Sequence, residues 1–133
     1  IQPTQALREK GVKMKLSPVK SIVKGKRIVL VDDSIVRGTT SLKIVSMLRE
    51  AGATEVHVRI GSAPLKYTCF YGVDIHTPEE LISSSHSVDE VCKIIGADSL
   101  AFLSHEGMLR AGRRDDLCLA CFNAKYPTKL YEE

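Results

Sequence analysis

The sequence predicts an α/β fold built on a parallel sheet, and three consecutive stretches carry that prediction. Ile28–Val31 is an unbroken apolar run. From Thr39 the residues Leu42, Ile44, Val45, Met47 and Leu48 recur with helical spacing, and Glu55–Ile60 is an alternating, β-branched segment. Strand, helix and strand with short joins make a βαβ unit, whose strands run parallel with a right-handed crossover. Across 133 residues, 44% hydrophobic and 26% charged, the chain is long enough for one domain with a core of its own.

Taken in order, residues 1–26 are polar and basic, with a short amphipathic stretch near Gln5–Lys15. The run Ile28–Val31 has the composition of a strand buried on both faces. It ends in the adjacent acids Asp32 and Asp33. The following helix stops at "EAGA", with Gly52 suited to a left-handed cap. Beyond Pro64 the pattern breaks up. "YTCFYGVDI" reads as a short strand or an irregular segment, and Thr77 can cap a helix from Pro78 to about Ile82. Ser87 with Glu90 forms a capping box for a helix that runs to Ile95 and ends at Gly96. Ser99–Leu103 is a short apolar strand and Ser104–Ala111 a further helix. The tail "DDLCLACFNAKYPTKLY" has little periodicity.

Composition narrows the function classes. No apolar run approaches the roughly 20 residues that span a bilayer, and no signal-peptide layout is present, so the expected location is cytoplasmic. The chain begins at Ile1 and reads as a piece of something longer. The net charge of +3 hides an asymmetry: residues 8–27 carry +7, leaving −4 elsewhere. Such a segment suits an anionic partner, and equally a solvated surface arm. With no interleaved aromatics and no nucleic-acid motif, no nucleic-acid partner is expected. Four cysteines suit a reducing compartment rather than a disulfide scaffold.

The chemistry concentrates in "IVLVDDSIVRGTT", Ile28 to Thr40. In parallel α/β sheets ligands bind beyond the carboxyl ends of the strands, where Asp32 and Asp33 lie. Carboxylates accept hydrogen bonds from vicinal hydroxyls and can hold Mg²⁺ directly or through water. The loop Ser34–Thr40 precedes a helix, and its amides and hydroxyls favour a phosphate. Sugar hydroxyls, a phosphate and a divalent ion close together describe a phosphorylated ribose. The loop lacks the GxxxxGK[ST] of a Walker P-loop. A phosphoacceptor domain would place an aspartate at the end of the next strand, where Gly61 and Ser62 stand instead.

Cys118 and Cys121 have C-x-x-C spacing, which serves zinc, an iron–sulfur cluster or a redox pair, and buried free thiols are the simplest alternative.

This segment resembles the signature of the type I phosphoribosyltransferases, and within them the family of glutamine-dependent amidophosphoribosyltransferases. "IQPTQALREKGVKMKL", "MLREAGATEVHVRI", "CFYGVD", "EELI", "IGADSL" and "CLACFNAKYPT" resemble that family's carboxy-terminal domain in the same order. The resemblance implies a type I phosphoribosyltransferase fold, a parallel sheet flanked by helices, here incomplete and with an irregular cysteine-bearing tail. It divides the chain into residues 1–26 as a flexible loop and lead-in, 27–112 as the phosphoribosyltransferase portion and 113–133 as the tail, with no glutaminase domain. The implied reaction makes phosphoribosylamine from phosphoribosyl pyrophosphate and glutamine-derived ammonia, the first committed step of purine synthesis. A regulator that binds the same sugar phosphate without catalysis is one alternative, and a nucleic-acid-binding module using the basic residues 8–27 is another.

By the same resemblance Asp32 and Asp33 hold the ribose hydroxyls and lie near Mg²⁺, while Ser34, Ile35, Val36, Arg37, Gly38, Thr39, Thr40 and Ser41 hold the 5′-phosphate. No catalytic residue is assigned. Gln2 to Lys15 corresponds to a loop that closes over substrate. Cys69, Cys118 and Cys121 match three of the four ligands of a structural [4Fe–4S] cluster, with the fourth outside this chain. Cys92 is assigned to the core. A tail short of that fourth ligand is expected to be disordered or rearranged. The implied partners are phosphoribosyl pyrophosphate, an upstream glutaminase domain of the same polypeptide and further copies in a homo-oligomer, with no membrane.

Overall fold

The computed structural model describes residues 17–130. The closing loop and the amphipathic stretch expected at Gln2–Lys15 lie outside the described residues. A one-turn helix α1 (Lys20–Val23) leads into β1 (Arg27–Asp32), α2 (Thr39–Glu50) and β2 (Glu55–Ile60). A 3₁₀ turn (Pro78–Glu80), α3 (Ile82–Ser85) and α4 (Val88–Ile95) follow. β3 (Ser99–Phe102), α5 (His105–Gly112) and α6 (Ala120–Asn123) complete the order. The three strands form one parallel sheet in the order β1-β2-β3, with Arg27 opposite Glu55 and His57 opposite Ser99. The predicted βαβ unit is therefore present.

One face of the sheet is covered by helices. Val56, Val58 and Ile60 of β2 point into a core with Ile35, Val45, Val91 and Ile95, and Leu30, Leu100 and Phe102 pack on it. Because side chains alternate along a strand, the opposite face carries Val29, Val31, Glu55, His57 and Arg59. This corrects the expectation that β1 is buried on both faces. Val29 and Val31 are 63% and 73% exposed, because β1 is the outer strand of the described sheet and no described element covers that face.

The capping signals hold. Ser87 Oγ accepts the Glu90 N–H at 3.2 Å while Glu90 Oε1 accepts the Ser87 N–H at 3.0 Å, and Gly96 ends α4 in the left-handed region. The helix expected from Pro78 to Ile82 is instead broken at Leu81, which takes an extended conformation between the 3₁₀ turn and α3. Its side chain is 1% exposed, drawn into a second small core with Leu65 and Ile75. Burying that leucine outweighs continuing one turn of helix.

The tail packs against the body. Cys121 and Phe122 pack on the second core. The Lys66 and Tyr67 N–H groups both donate to the Cys121 carbonyl at 3.0 Å. The Tyr126 hydroxyl donates to the Thr68 carbonyl at 2.8 Å, and the Phe70 and Tyr126 rings meet edge-on at 5.1 Å. Hydrogen bonds and aromatic packing replace the missing periodicity.

Candidate functional site

β1 delivers its acids to the carboxyl end of the sheet, as the apolar run requires. There the Asp32 carbonyl accepts the Gly61 N–H at 2.9 Å, which ties the ends of β1 and β2 together. Asp32 Oδ1 turns back to accept the Asp33 N–H at 2.9 Å, and the Ser34 hydroxyl donates to Asp33 Oδ1 at 3.1 Å. These short-range bonds turn the chain out of the strand within one residue. Successive side chains of a continuing strand would point to opposite sides; the strand ends at Asp32, so that constraint does not extend to Asp33. Asp33 is exposed and Asp32 half-buried.

The loop then re-enters the fold. Ile35 is 2% exposed in the main core, and Val36 packs on the second core. Gly38 is the N-cap of α2 at φ +83°, in the left-handed region. A Cβ there would stand 3.0 Å from Ile82 Cδ1, so backbone conformation and packing both select glycine. No side chain caps α2. The Leu42 N–H closes the first helical bond on the Gly38 carbonyl at 2.9 Å, which leaves the amides of Thr39, Thr40 and Ser41 before it without helical partners. Free amides at the positive end of a twelve-residue helix, with Thr39 and Thr40 hydroxyls beside them, make an anion-binding end.

The structure thus places Asp32 to Ser41 consecutively between the end of β1 and the start of α2, with Ile35 and Ser41 buried and Val36 packed on the second core, so that those three present backbone rather than side chain to the strand end. It also adds two residues that the sequence reading assigns to no site. Arg37 Nη2 donates to Glu80 Oε1 at 3.1 Å, and the Ile82 N–H donates to the Val36 carbonyl at 2.9 Å. Both partners lie more than forty positions downstream of the loop. A groove of about 310 Å³ runs between β1 and α2, lined by Leu30, Val31, Asp32, Ile44 and Met47. Its apolar walls suit packing rather than a charged sugar.

The tail cysteines converge on one neighbourhood. Burial pushes the Cys121 thiol up, and the nearby charges of Cys69 and Cys118 push it the same way. None of the three is in a disulfide. Among the described residues, no three His, Cys, Asp or Glu side chains are arranged to hold a metal ion. Thiols are the donors an iron–sulfur cluster takes, but the described residues do not gather three of them into a metal-holding arrangement. Cys92 is elsewhere, half-buried on α4, with Sγ 3.4 Å from the Ala97 carbonyl and its thiol raised by burial.

Comparison with known proteins agrees with this geometry. The phosphoribosyl transferase domain family matches residues 2–63. The chain is 63% identical to an amidophosphoribosyltransferase of Bacillus subtilis (strain 168), over all of this chain and 29% of that protein. It is 56% identical to one of Methanocaldococcus jannaschii, over 98% of this chain and 28% of that protein. A chloroplastic relative from Arabidopsis thaliana is also 56% identical, over 99% of this chain and 24% of its own length.

Two solved structures superpose on the whole chain. One is the glutamine phosphoribosylpyrophosphate amidotransferase from B. subtilis complexed with ADP and GMP, with a TM-score of 0.84, 63% identity and 30% of that chain covered. The other is described as the allosteric regulatory enzyme of purine biosynthesis, with a TM-score of 0.83, 63% identity and again 30% covered. The chain spans less than a third of the length of these relatives. It belongs to the amidophosphoribosyltransferase family, of which it carries the segment with the acidic strand end and the helix that receives it.

Proposed function

We propose that this chain supplies the sugar-phosphate half of an amidophosphoribosyltransferase site, in a longer enzyme that makes 5-phosphoribosylamine from phosphoribosyl pyrophosphate and glutamine-derived ammonia. The observation that carries the reading is the acidic pair Asp32–Asp33 set directly before the uncapped amino end of α2. The amides and hydroxyls from Ser34 to Ser41 take the 5′-phosphate, and the two carboxylates accept from the ribose hydroxyls. Displacing pyrophosphate at the anomeric carbon passes through an oxocarbenium-like state. These residues fix the ribose relative to the attacking ammonia. Ammonia is itself a competent nucleophile, so no general base is required of this chain. Asp32 and Asp33 are also the residues that would hold Mg²⁺, which when bound offsets the charge of the leaving pyrophosphate.

The glutaminase that releases ammonia belongs to the remainder of the polypeptide, and the enzyme works as a homo-oligomer of the complete chain. Cys69, Cys118 and Cys121 supply three thiolates to a [4Fe–4S] cluster whose fourth ligand comes from that remainder. The cluster's role is structural: it fastens the tail to the Cys69 segment. The described helices include none long and apolar enough to cross a membrane, which suits an enzyme of soluble metabolites.

Steady-state release of pyrophosphate by the full-length enzyme, with glutamine or free ammonia as the nitrogen source, tests the reading. Phosphoribosyl pyrophosphate-dependent turnover with both is expected. Binding of the sugar phosphate without turnover would overturn catalysis in favour of a regulator.

A further inference from the structure

We infer that Glu80 is a positioning residue for the phosphate loop: through Arg37 it holds the loop in its phosphate-receiving shape, so that Arg37 serves as a tether rather than as a phosphate ligand. The inference rests on the proposed function of the loop and adds to it a residue 43 positions away.

Three contacts join the loop to the segment at Glu80. Arg37 Nη2 donates to Glu80 Oε1 at 3.1 Å. The Ile82 N–H donates to the Val36 carbonyl at 2.9 Å. Gly38 presents its bare Cα to Ile82, where an added Cβ would stand 3.0 Å from Ile82 Cδ1 and the isoleucine would have to give way. The last two contacts fix the backbone on either side of Arg37. The ion pair then decides where the one strong cation of the loop goes.

Glu80 is well placed for this task because its own base is rigid. Its N–H donates to the Thr77 carbonyl at 3.2 Å, and the Leu81 N–H donates to the Pro78 carbonyl at 3.0 Å. The Ser84 hydroxyl donates to the same Pro78 carbonyl at 2.8 Å. Leu81, the next residue, is anchored in the second core beside Val36. The carboxylate is thus offered to Arg37 from a turn locked at both ends.

The pair is also shielded. The Arg37 and Glu80 side chains are 23% and 35% exposed, against 80% and 83% for the surface pair Arg110–Glu106. Partial exclusion of water strengthens a charge pair relative to one on an open surface. Partial burial raises the Glu80 carboxyl, but the hydrogen bond and charge of Arg37, with the backbone of His76 and Thr77, leave it below the ordinary glutamate range. Glu80 is therefore ionised at neutral pH and engages the guanidinium as a charged acceptor. An unrestrained arginine in the middle of the loop would be free to fold back onto Asp32 and Asp33. Its commitment to Glu80 keeps that carboxylate pair open for the sugar.

A tether of this kind shapes ground-state and transition-state binding alike, so its loss acts on KM rather than on kcat. The test uses the full-length enzyme with free ammonia and varies phosphoribosyl pyrophosphate. Glu80→Ala is expected to raise KM about tenfold with kcat within about twofold. Glu80→Gln, which keeps the shape and one acceptor oxygen, is expected to raise KM by a smaller factor, and it carries the test if the alanine variant fails to fold. Arg37→Ala should match Glu80→Ala, and the double variant should be no worse than either single one, because both remove the same link. Multiplying effects in the double variant, an unchanged KM, or a lower KM in Glu80→Ala (Arg37 released to bind phosphate) would each overturn the assignment. Failure of the unmodified enzyme to turn over would instead strike the proposed function itself.

Discussion

Arg49, in the last turn of α2, reaches across to the carboxylate that opens β3: its Nη2 donates to Asp98 Oδ2 at 3.0 Å and to the Gly96 carbonyl at 2.6 Å. The same Asp98 oxygen accepts the Val56 N–H of β2 at 2.7 Å. One carboxylate thus joins a helix and two strands. The Val56 amide first, and Arg49 second, hold the Asp98 carboxyl below its ordinary 3.8. A depressed carboxylate stabilises the fold fully above its unfolded value and loses that contribution as pH falls through its lower folded value. Asp98→Ala should therefore lower the thermal midpoint by a few degrees at neutral pH. The deficit relative to the parent should shrink in melts taken below pH 3.8.

Asp32→Asn and Asp33→Asn should each weaken use of phosphoribosyl pyrophosphate by the full-length enzyme. Asparagine keeps one acceptor oxygen but loses the charge that favours Mg²⁺ and the hydroxyl protons. Loss should be partial and should persist with free ammonia, since the nitrogen source is untouched. Unchanged steady-state constants in both variants would remove the acids from the site.

Gly38→Ala tests the turn before α2. A side chain at φ +83° costs roughly 1–2 kcal/mol, and this one would also press on Ile82. The variant should be less stable by denaturant unfolding. It should also lose more in KM for the sugar phosphate than Ser87→Ala, which costs about 1 kcal/mol at the cap of α4.

The acids, the glycine that ends α2 and the capping box were legible because each is a local signal: composition over a few residues fixes a strand end, a positive φ at Gly52 or a cap. Long-range pairing was not. Nothing near Arg37 announces Glu80, and nothing near Pro78 announces that Leu81 will leave the helical path for a core built from Leu65 and Ile75. The exposure of Val29 and Val31 escaped for a different reason. An apolar run states what a strand can bury, whereas burial depends on which elements lie over it.

The tail cysteines give a compositional prediction. Full-length enzyme purified without oxygen should contain iron and acid-labile sulfide, and Cys118→Ser or Cys121→Ser should remove both. Zinc without sulfide in that preparation would exclude the cluster and leave the transferase reading standing.

The bare face of β1 has a consequence for handling the protein. Arg27–Asp32 is hydrogen-bonded along only one side among the described residues, and its free side is flanked by two exposed valines. Such an edge is a template on which another extended chain can pair, and short apolar β-branched runs are the usual seeds of that pairing. Expressed alone, this segment should self-associate in a concentration-dependent way, visible by light scattering. Val31→Lys, which places a charge on the open face without touching the core, should suppress it. The same six residues would then be a core strand in one setting and an adhesive one in another, with the neighbouring chain deciding which.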